Sequence, residues 1–286
     1  MKRRLEETSV LICGLGLMGG SLGLALGGKA GEVMGVDVDA RAREMAVATG
    51  AVSCARSPEE AEKLARRAGL VVLATPLGAI GDALKGLLPH LSRDAVITDV
   101  GSVKGPLIGE LWEIIPCGMV YVPGHPIAGS EEMGIDGARG HMFEGATWIV
   151  VGRGDPLVSE MIRSTGAVEV GMDEETHDEL AAHTSHLPLV MASATAEWSC
   201  RAHRRNPEDF RLLAGGGFRD TTRVAAGSPA MGADICIYNR QRLLPLIDGV
   251  IDSLCRTREL IAAGERGELV SRLSKIREEL LKARGY

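Results

Sequence analysis

The stretch Val10-Leu11-Ile12-Cys13-Gly14-Leu15-Gly16-Leu17-Met18-Gly19 decides the reading of this chain. Four unbroken apolar residues read as a strand buried on both faces. A Gly-x-Gly-x-x-Gly fingerprint follows directly, and Ser21 to Leu26 opens a helix behind it. Alone, such a fingerprint is a weak signal; between a strand and a helix it reads as a phosphate-binding turn. The first glycine allows the tight turn, the second lets backbone approach a pyrophosphate, and the third lets helix and strand pack closely. The helix N-terminus adds free N–H groups and a partial positive charge. Gly14, Gly16, Leu17, Met18 and Gly19 are therefore candidate cofactor contacts.

Working outward, Val33-Met34-Gly35-Val36 is a second strand, and Asp37 ends it, 21 residues after Gly16. A carboxylate there accepts hydrogen bonds from an adenosine ribose and repels a 2′-phosphate, which favours NAD over NADP. Arg41, close by, weakens that preference slightly. Ala40 to Thr49 is helical in pattern. Leu70-Val71-Val72-Leu73-Ala74 and Ala95-Val96-Ile97-Thr98 are further strands, with Trp148-Ile149-Val150-Val151 later. Strands alternating with helices predict a parallel sheet covered on both faces, a Rossmann-type α/β domain. Ligands of such sheets bind beyond the carboxyl ends of the strands. That puts Thr75-Pro76 and the Asp99–Lys104 loop on the cofactor side; Thr75-Pro76 reads equally well as a simple helix start.

Composition bounds the rest. Of 286 residues 37 are glycine, and 28 of these lie in residues 1–171. Without a three-residue period they are not collagen-like, and 45% hydrophobic residues exclude disorder. Length suggests two domains. We place the boundary near Gly171, after the β-like run Ala167-Val168-Glu169-Val170: a dinucleotide-binding domain over 1–171 and an all-α substrate and dimerisation domain over 172–286. In the second, Asp173 caps a helix running towards His183. Leu243, Ile247, Val250 and Leu254 recur at helical spacing, and Leu260, Leu269, Leu273, Ile276 and Leu280 continue the pattern. Such stripes pair with a second copy of the chain or form an internal core; a homodimer is expected.

The net charge of −6 argues against a nucleic-acid surface. Six scattered cysteines without a C-x-x-C pair exclude zinc-finger and thioredoxin readings and fit a cytoplasmic protein. Residues 9–28 carry no charge and follow Lys2-Arg3-Arg4, like a signal peptide or a membrane span. Glu6-Glu7 interrupts the basic lead, however, and seven glycines make a poor membrane helix, so no membrane association is expected.

A nicotinamide enzyme oxidising an alcohol needs a group that takes the hydroxyl proton, and histidine suits the task. Of seven histidines, His125 stands out in Gly124-His125-Pro126-Ile127-Ala128-Gly129-Ser130, a small-residue loop after the run Met119-Val120-Tyr121-Val122. From this context alone a structural role is as good a reading. His183 and His186 would share a helix face, but their spacing defines no open metal site, and no metal is expected. His177-Asp178 reads as help at a helix start.

The strings GLGLMGGS, ATPLGAI, TDVGSVK, HPIAGSEEMG, MFEGATWIVV, HTSHLP and GGGFRDTTRVA occur in this order from about residue 9 to about residue 255. Together they resemble the prephenate dehydrogenase family, including its arogenate-using members. The resemblance implies hydride transfer from the hydroxyl-bearing ring carbon of prephenate to NAD⁺. Carbon dioxide is lost from the opposite ring carbon, giving 4-hydroxyphenylpyruvate and NADH in tyrosine biosynthesis. It implies that His125 accepts the hydrogen bond of the ring hydroxyl and that Ser102 orients histidine and hydroxyl. Arg223 would bind a substrate carboxylate, which suits a bidentate guanidinium, and His186 would line the substrate pocket. Arg219 and Lys104 read more simply as ion-pair members. Two positions depart from the family pattern: Leu189 stands where SHLPH has its second histidine, and Gly232 where a tryptophan often follows Pro-x-Met. Both put side-chain selectivity between prephenate and arogenate in doubt. The length leaves no room for an added mutase or regulatory domain. The competing readings are another small hydroxy-acid dehydrogenase and a non-catalytic NAD sensor. HPIAGSE with GGGFRDTTR argues against the first, and His125, Ser102 and Arg223 against the second.

Overall fold

A computed structural model describes residues 4–130 and 132–285. Lys2 and Arg3 of the basic lead lie outside the described residues. Six parallel strands form the main sheet: β1 (Ser9–Cys13), β2 (Glu32–Val36), β3 (Cys54–Arg56), β4 (Leu70–Leu73), β5 (Val96–Asp99) and β6 (Val120–Val122). Their order is β3-β2-β1-β4-β5-β6. The chain thus leaves β1 in one direction for β2 and β3 and in the other for β4 to β6. The crevice at that reversal is where such sheets bind ligands.

Strand residues alternate between two cores, as a period of two requires. Leu11, Val71 and Ile97 face one apolar layer with Ile80, Leu84, Leu107 and Leu111. Val10, Ile12 and Val72 face the other, with Leu22, Leu26, Val158 and Ile162. The covering helices are α1 (Leu17–Leu26), α2 (Ala40–Ala48), the short α3 (Glu62–Ala65), α4 (Leu77–Leu87), α5 (Gly105–Ile114) and α6 (Pro156–Ser164). A second sheet, β7 (Gly124–Pro126), β8 (Thr147–Val151) and β9 (Val168–Met172), pairs β7 with β8 antiparallel and β8 with β9 parallel. The Rossmann-type reading therefore holds.

Three local differences from the sequence reading have physical reasons. Helix α1 starts at Leu17 rather than Ser21, because the fingerprint itself supplies the first turn, with Gly16 at the N-cap. The strands β3 and β7 are three residues long, too short for periodicity to reveal. Asp173 does cap α7 (Glu174–Ala181), accepting from the Thr176 amide at 2.8 Å. The chain then passes through a π turn, Ala182–His186, before α8 (Leu187–Arg205). That turn separates His183, exposed beside Glu179, from His186, which is buried.

Everything after β9 is helical: α9 (Pro207–Leu213), α10 (Gly216–Thr222), α11 (Pro229–Tyr238), α12 (Arg240–Ala263) and α13 (Arg266–Ala283). The chain divides into two compact units between Arg240 and Gln241. In the first, α11 packs on the sheet domain: Asp234 accepts from the Gly78 amide at 3.1 Å, and the Tyr238 hydroxyl donates to Glu110 at 3.3 Å. In the second, Arg272 of α13 donates to the Ser253 hydroxyl of α12 at 2.8 Å. Leu254, Ile261, Leu273, Ile276 and Leu280 are exposed on these two helices. Among the described residues no helix is long and apolar enough to cross a membrane.

Candidate active site

The glycine turn is a cradle by construction. Gly14 has φ 97°, a region costly for residues with a Cβ. A Cβ there would also lie 2.6 Å from the Ala74–Thr75 backbone. A Cβ on Gly19 would overlap the Gly14 carbonyl. Gly16 differs: its φ is −76°, and a Cβ would meet nothing within 4 Å. Its missing side chain is therefore not demanded by the protein, but leaves open the space over the N-terminus of α1. Asp37 is half-buried at the end of β2, where it accepts from the Leu15 amide at 2.6 Å and the Asp39 amide at 2.8 Å. The carboxylate is thus tied to the turn. Arg41 pairs with Asp136 at 2.9 Å. Thr75 and Pro76 follow β4, and Pro76 is the N-cap of α4. All eight candidate cofactor residues lie at the carboxyl ends of β1, β2 and β4, and the open cradle fits a dinucleotide pyrophosphate.

Residues of β7, β8, β9 and α7 line a cleft of about 640 Å³. His125, His177 and Arg223 line it together, with Ile127, Leu180 and Thr184 among its walls. Its described lining holds no carboxylate. His125 Nδ1 lies 2.8 Å from His177 Nε2, and His177 Nδ1 lies 2.8 Å from Asp178 Oδ1. Asp178 does act at a helix start, but at that of α5 rather than α7: its carboxylate accepts from the Lys104 amide at 2.7 Å and the Gly105 amide at 2.8 Å. Burial pushes the Asp178 carboxyl up, but the bonds from His177, Lys104 and Gly105 outweigh it and hold it below the usual value. Burial drives the His125 imidazole well below its usual value, with help from His177, Lys104 and His186 nearby.

Beneath the cleft sits a buried polar cluster. Lys104 is fully buried, pairs with Asp99, and donates to the Gly124 carbonyl at 2.7 Å, immediately before His125. Asp99 also accepts from the Tyr121 hydroxyl at 2.8 Å and the Gly101 amide at 2.7 Å. Burial lowers the Lys104 ammonium's pKa, while Asp99 and Asp178 raise it. His186 is buried; its Nδ1 bonds the Asn239 amide at 3.0 Å, and its Nε2 has no partner. Burial takes His186 down to about 4. The Asn239 amide also donates to the Asp178 carbonyl at 2.8 Å.

Of the residues singled out by sequence, His125 and Arg223 therefore share one cleft. His186 stands behind it, near enough to affect the charge of His125. Ser102 is half-buried in the β5–α5 loop and is not part of the cleft lining. Lys104 is the ion-pair member expected, whereas Arg219 donates to the Ala214 carbonyl at 3.1 Å. Leu189 and Gly232 face each other: a Cβ on Gly232 would lie 3.4 Å from Leu189 Cδ2. The sequence pattern does not single out His177, Asp178 or Asn239 as site residues. Adjacent polar residues in an acid-rich helix start give no sign of burial, and the His125–His177 contact spans 52 residues.

A parallel sheet with a glycine cradle at its switch point, together with a cleft lined by a histidine and an arginine, defines a dinucleotide-dependent dehydrogenase. Comparison with known proteins narrows this. The family signature described as prephenate dehydrogenase, nucleotide-binding domain, matches residues 22–157, and that described as prephenate dehydrogenase, dimerization domain, matches residues 173–275. The prephenate dehydrogenase of Bacillus subtilis is 29% identical over 89% of this chain and 70% of its own. A cyclohexadienyl dehydrogenase of Zymomonas mobilis is 31% identical over 72% of each. The crystal structure of Aquifex aeolicus prephenate dehydrogenase, in complex with hydroxyphenyl propionate and NAD⁺, superposes with a TM-score of 0.84 at 32% identity, covering 96% of this chain and 98% of that one. Synechocystis arogenate dehydrogenase gives 0.74 at 29% identity, covering 96% and 99%. The chain belongs to the prephenate dehydrogenase family and is an NAD-dependent oxidoreductase.

Proposed function

We propose that the chain oxidatively decarboxylates prephenate to 4-hydroxyphenylpyruvate, with NAD⁺ as oxidant, in tyrosine biosynthesis. The observation that carries this is the cleft lined by both His125 and Arg223, in a chain whose β1–α1 turn forms the glycine cradle. Gly14, Gly16, Leu17, Met18 and Gly19 hold the pyrophosphate, Asp37 the ribose, and Thr75-Pro76 border the cofactor. Bound NAD⁺ supplies the hydride acceptor. His125 accepts the proton of the ring hydroxyl through Nε2, because Nδ1 already faces His177. Arg223 binds a substrate carboxylate as a bidentate pair, Ser102 orients the hydroxyl from the β5–α5 loop, and His186 supports the pocket from behind. Aromatisation drives loss of carbon dioxide, so the chain needs to supply only a base and anion-binding groups.

Arogenate is the second substrate of this reading. It carries an ammonium where prephenate carries a keto group. NADH formation with prephenate and with arogenate tests the assignment; no turnover with either ends it. The His125→Asn variant should lose about 10²–10⁴-fold in kcat while NAD⁺ binding, read by calorimetry, is kept. Arg223→Ala should chiefly raise the KM for prephenate.

We further propose a dinucleotide-binding domain over 1–171 and a substrate and dimerisation domain over 172–286. The interval between the two family signatures, residues 158–172, supports that boundary. The exposed apolar side chains of α12 and α13 support a homodimer, which light scattering should report at twice 30.2 kDa. Six unpaired cysteines suit work in the cytoplasm.

A further inference from the structure

The His125–His177–Asp178 chain determines which nitrogen of His125 carries a proton. Asp178 is an ionised acceptor: the two first N–H groups of α5 point at its carboxylate, and a helix N-terminus favours negative charge. It therefore takes its third hydrogen bond from His177 Nδ1–H. With both rings neutral, His177 Nε2 then has only a lone pair to offer. The 2.8 Å contact to His125 must be donated by His125 Nδ1–H. His125 Nε2 is left with the lone pair, on a ring that lines the cleft.

Both ends of this chain are anchored by one residue. The Lys104 amide holds Asp178, and the Lys104 ammonium holds the Gly124 carbonyl next to His125. Asn239 clamps the Asp178 carbonyl from the other side. The orientation of both rings is thus fixed by buried groups, and no mobile surface side chain takes part.

We propose that His177 is a positioning residue which, held by Asp178, locks His125 in the Nδ1–H tautomer and so keeps Nε2 free as the base for the substrate hydroxyl. This rests on the dehydrogenase reading above for its substrate, but not for the tautomer. In the reaction the substrate O–H bond breaks and an Nε2–H bond forms on His125. The resulting imidazolium keeps its Nδ1–H on His177, and the new proton is later released to water. Asp178 stays ionised throughout and orients His177; it takes up no proton.

The test uses full-length protein labelled with ¹⁵N in histidine, without substrate. The signals of His125 and His177, assigned by their loss in the His125→Asn and His177→Gln variants, should both show a protonated Nδ1 and an unprotonated Nε2. A proton on Nε2 of His125 overturns the proposal. Kinetics supply the second arm. His177→Leu offers no acceptor and should lower kcat by at least about 10²-fold, towards the 10⁴-fold cost known for a catalytic histidine in the wrong tautomer, while NAD⁺ affinity is kept. His177→Gln restores an acceptor oxygen and should recover kcat to within about tenfold of the parent. Unchanged kcat in His177→Leu, or equal loss in both variants, overturns the positioning role. If the parent protein turns over neither prephenate nor arogenate, the substrate reading fails while the NMR arm still decides the tautomer.

Discussion

At the scale of single residues, the buried cation is the sharpest case. Lys104 contributes no catalytic chemistry in this reading, yet it is fully buried and paired with Asp99. Breaking a buried pair by removing one partner leaves an uncompensated charge, at a cost of about 3–5 kcal/mol. Lys104→Met should therefore lower the unfolding free energy by about that amount in urea titrations. It should also free the Gly124 carbonyl and so impair turnover in the protein that remains folded. Arg219→Ala, which removes only an exposed bond to a carbonyl, should change stability by less than about 1 kcal/mol. Sequence pattern placed both cations near the site but could not rank them, because Lys104 is enclosed by partners from β5, β7 and α7 that lie apart in the chain. The same limit applies to His177 and Asp178. His125 was legible because glycine and proline flank it in a loop. His177 is an unremarkable helix residue until the fold brings it beside His125.

At the scale of elements, the strand–turn–helix unit was legible because its constraints are local. The three fingerprint glycines differ in why they are glycine, and this gives a split prediction. Gly19→Ala drives a Cβ into the Gly14 carbonyl and should cost about 1–3 kcal/mol of stability as overpacking. Gly16→Ala meets no protein atom and should cost no more than about 1 kcal/mol at an N-cap. It should instead weaken NAD⁺ binding at least about tenfold, equivalent to about 1.4 kcal/mol. Thermal melts and calorimetric titration of the two variants separate these outcomes. If Gly16→Ala bound NAD⁺ as the parent does, the cradle assignment would fail. Elements without a local signature were not legible. The strand β7 exists because β8 pairs with it, Gly124 with Val150 and Pro126 with Trp148. The π turn before α8 interrupts a helix whose sequence has no proline or glycine from Glu174 to Leu187. It turns His186 inward and leaves His183 in solvent.

At the scale of the whole molecule, the buried histidines make folding itself pH-dependent, and the sign follows from their direction. His186 is lowered from 6.5 to about 4 by burial, and His125 is also lowered. A histidine whose folded pKa lies below its unfolded one is neutral in the folded chain while the unfolded chain binds a proton. Its stabilising contribution is therefore complete above pH 6.5 and is lost as pH falls from 6.5 towards about 4. For His186 alone the change over that range is about 3 kcal/mol. Asp178 acts in a separate window: its lowered pKa adds stability above its unfolded value of 3.8, which is lost only below that. Acid destabilisation between pH 6.5 and about 4 thus reports on the histidines rather than on this carboxylate. Urea midpoints measured across that interval should fall steadily for the parent protein. His186→Gln retains an acceptor for Asn239 and removes the titrating ring, so its midpoint should fall less by about 3 kcal/mol equivalent over the same range. A parent profile flat from pH 6.5 to about 4 would mean that His186 takes up its proton without unfolding pressure, and that the polar cluster under the cleft is open to water.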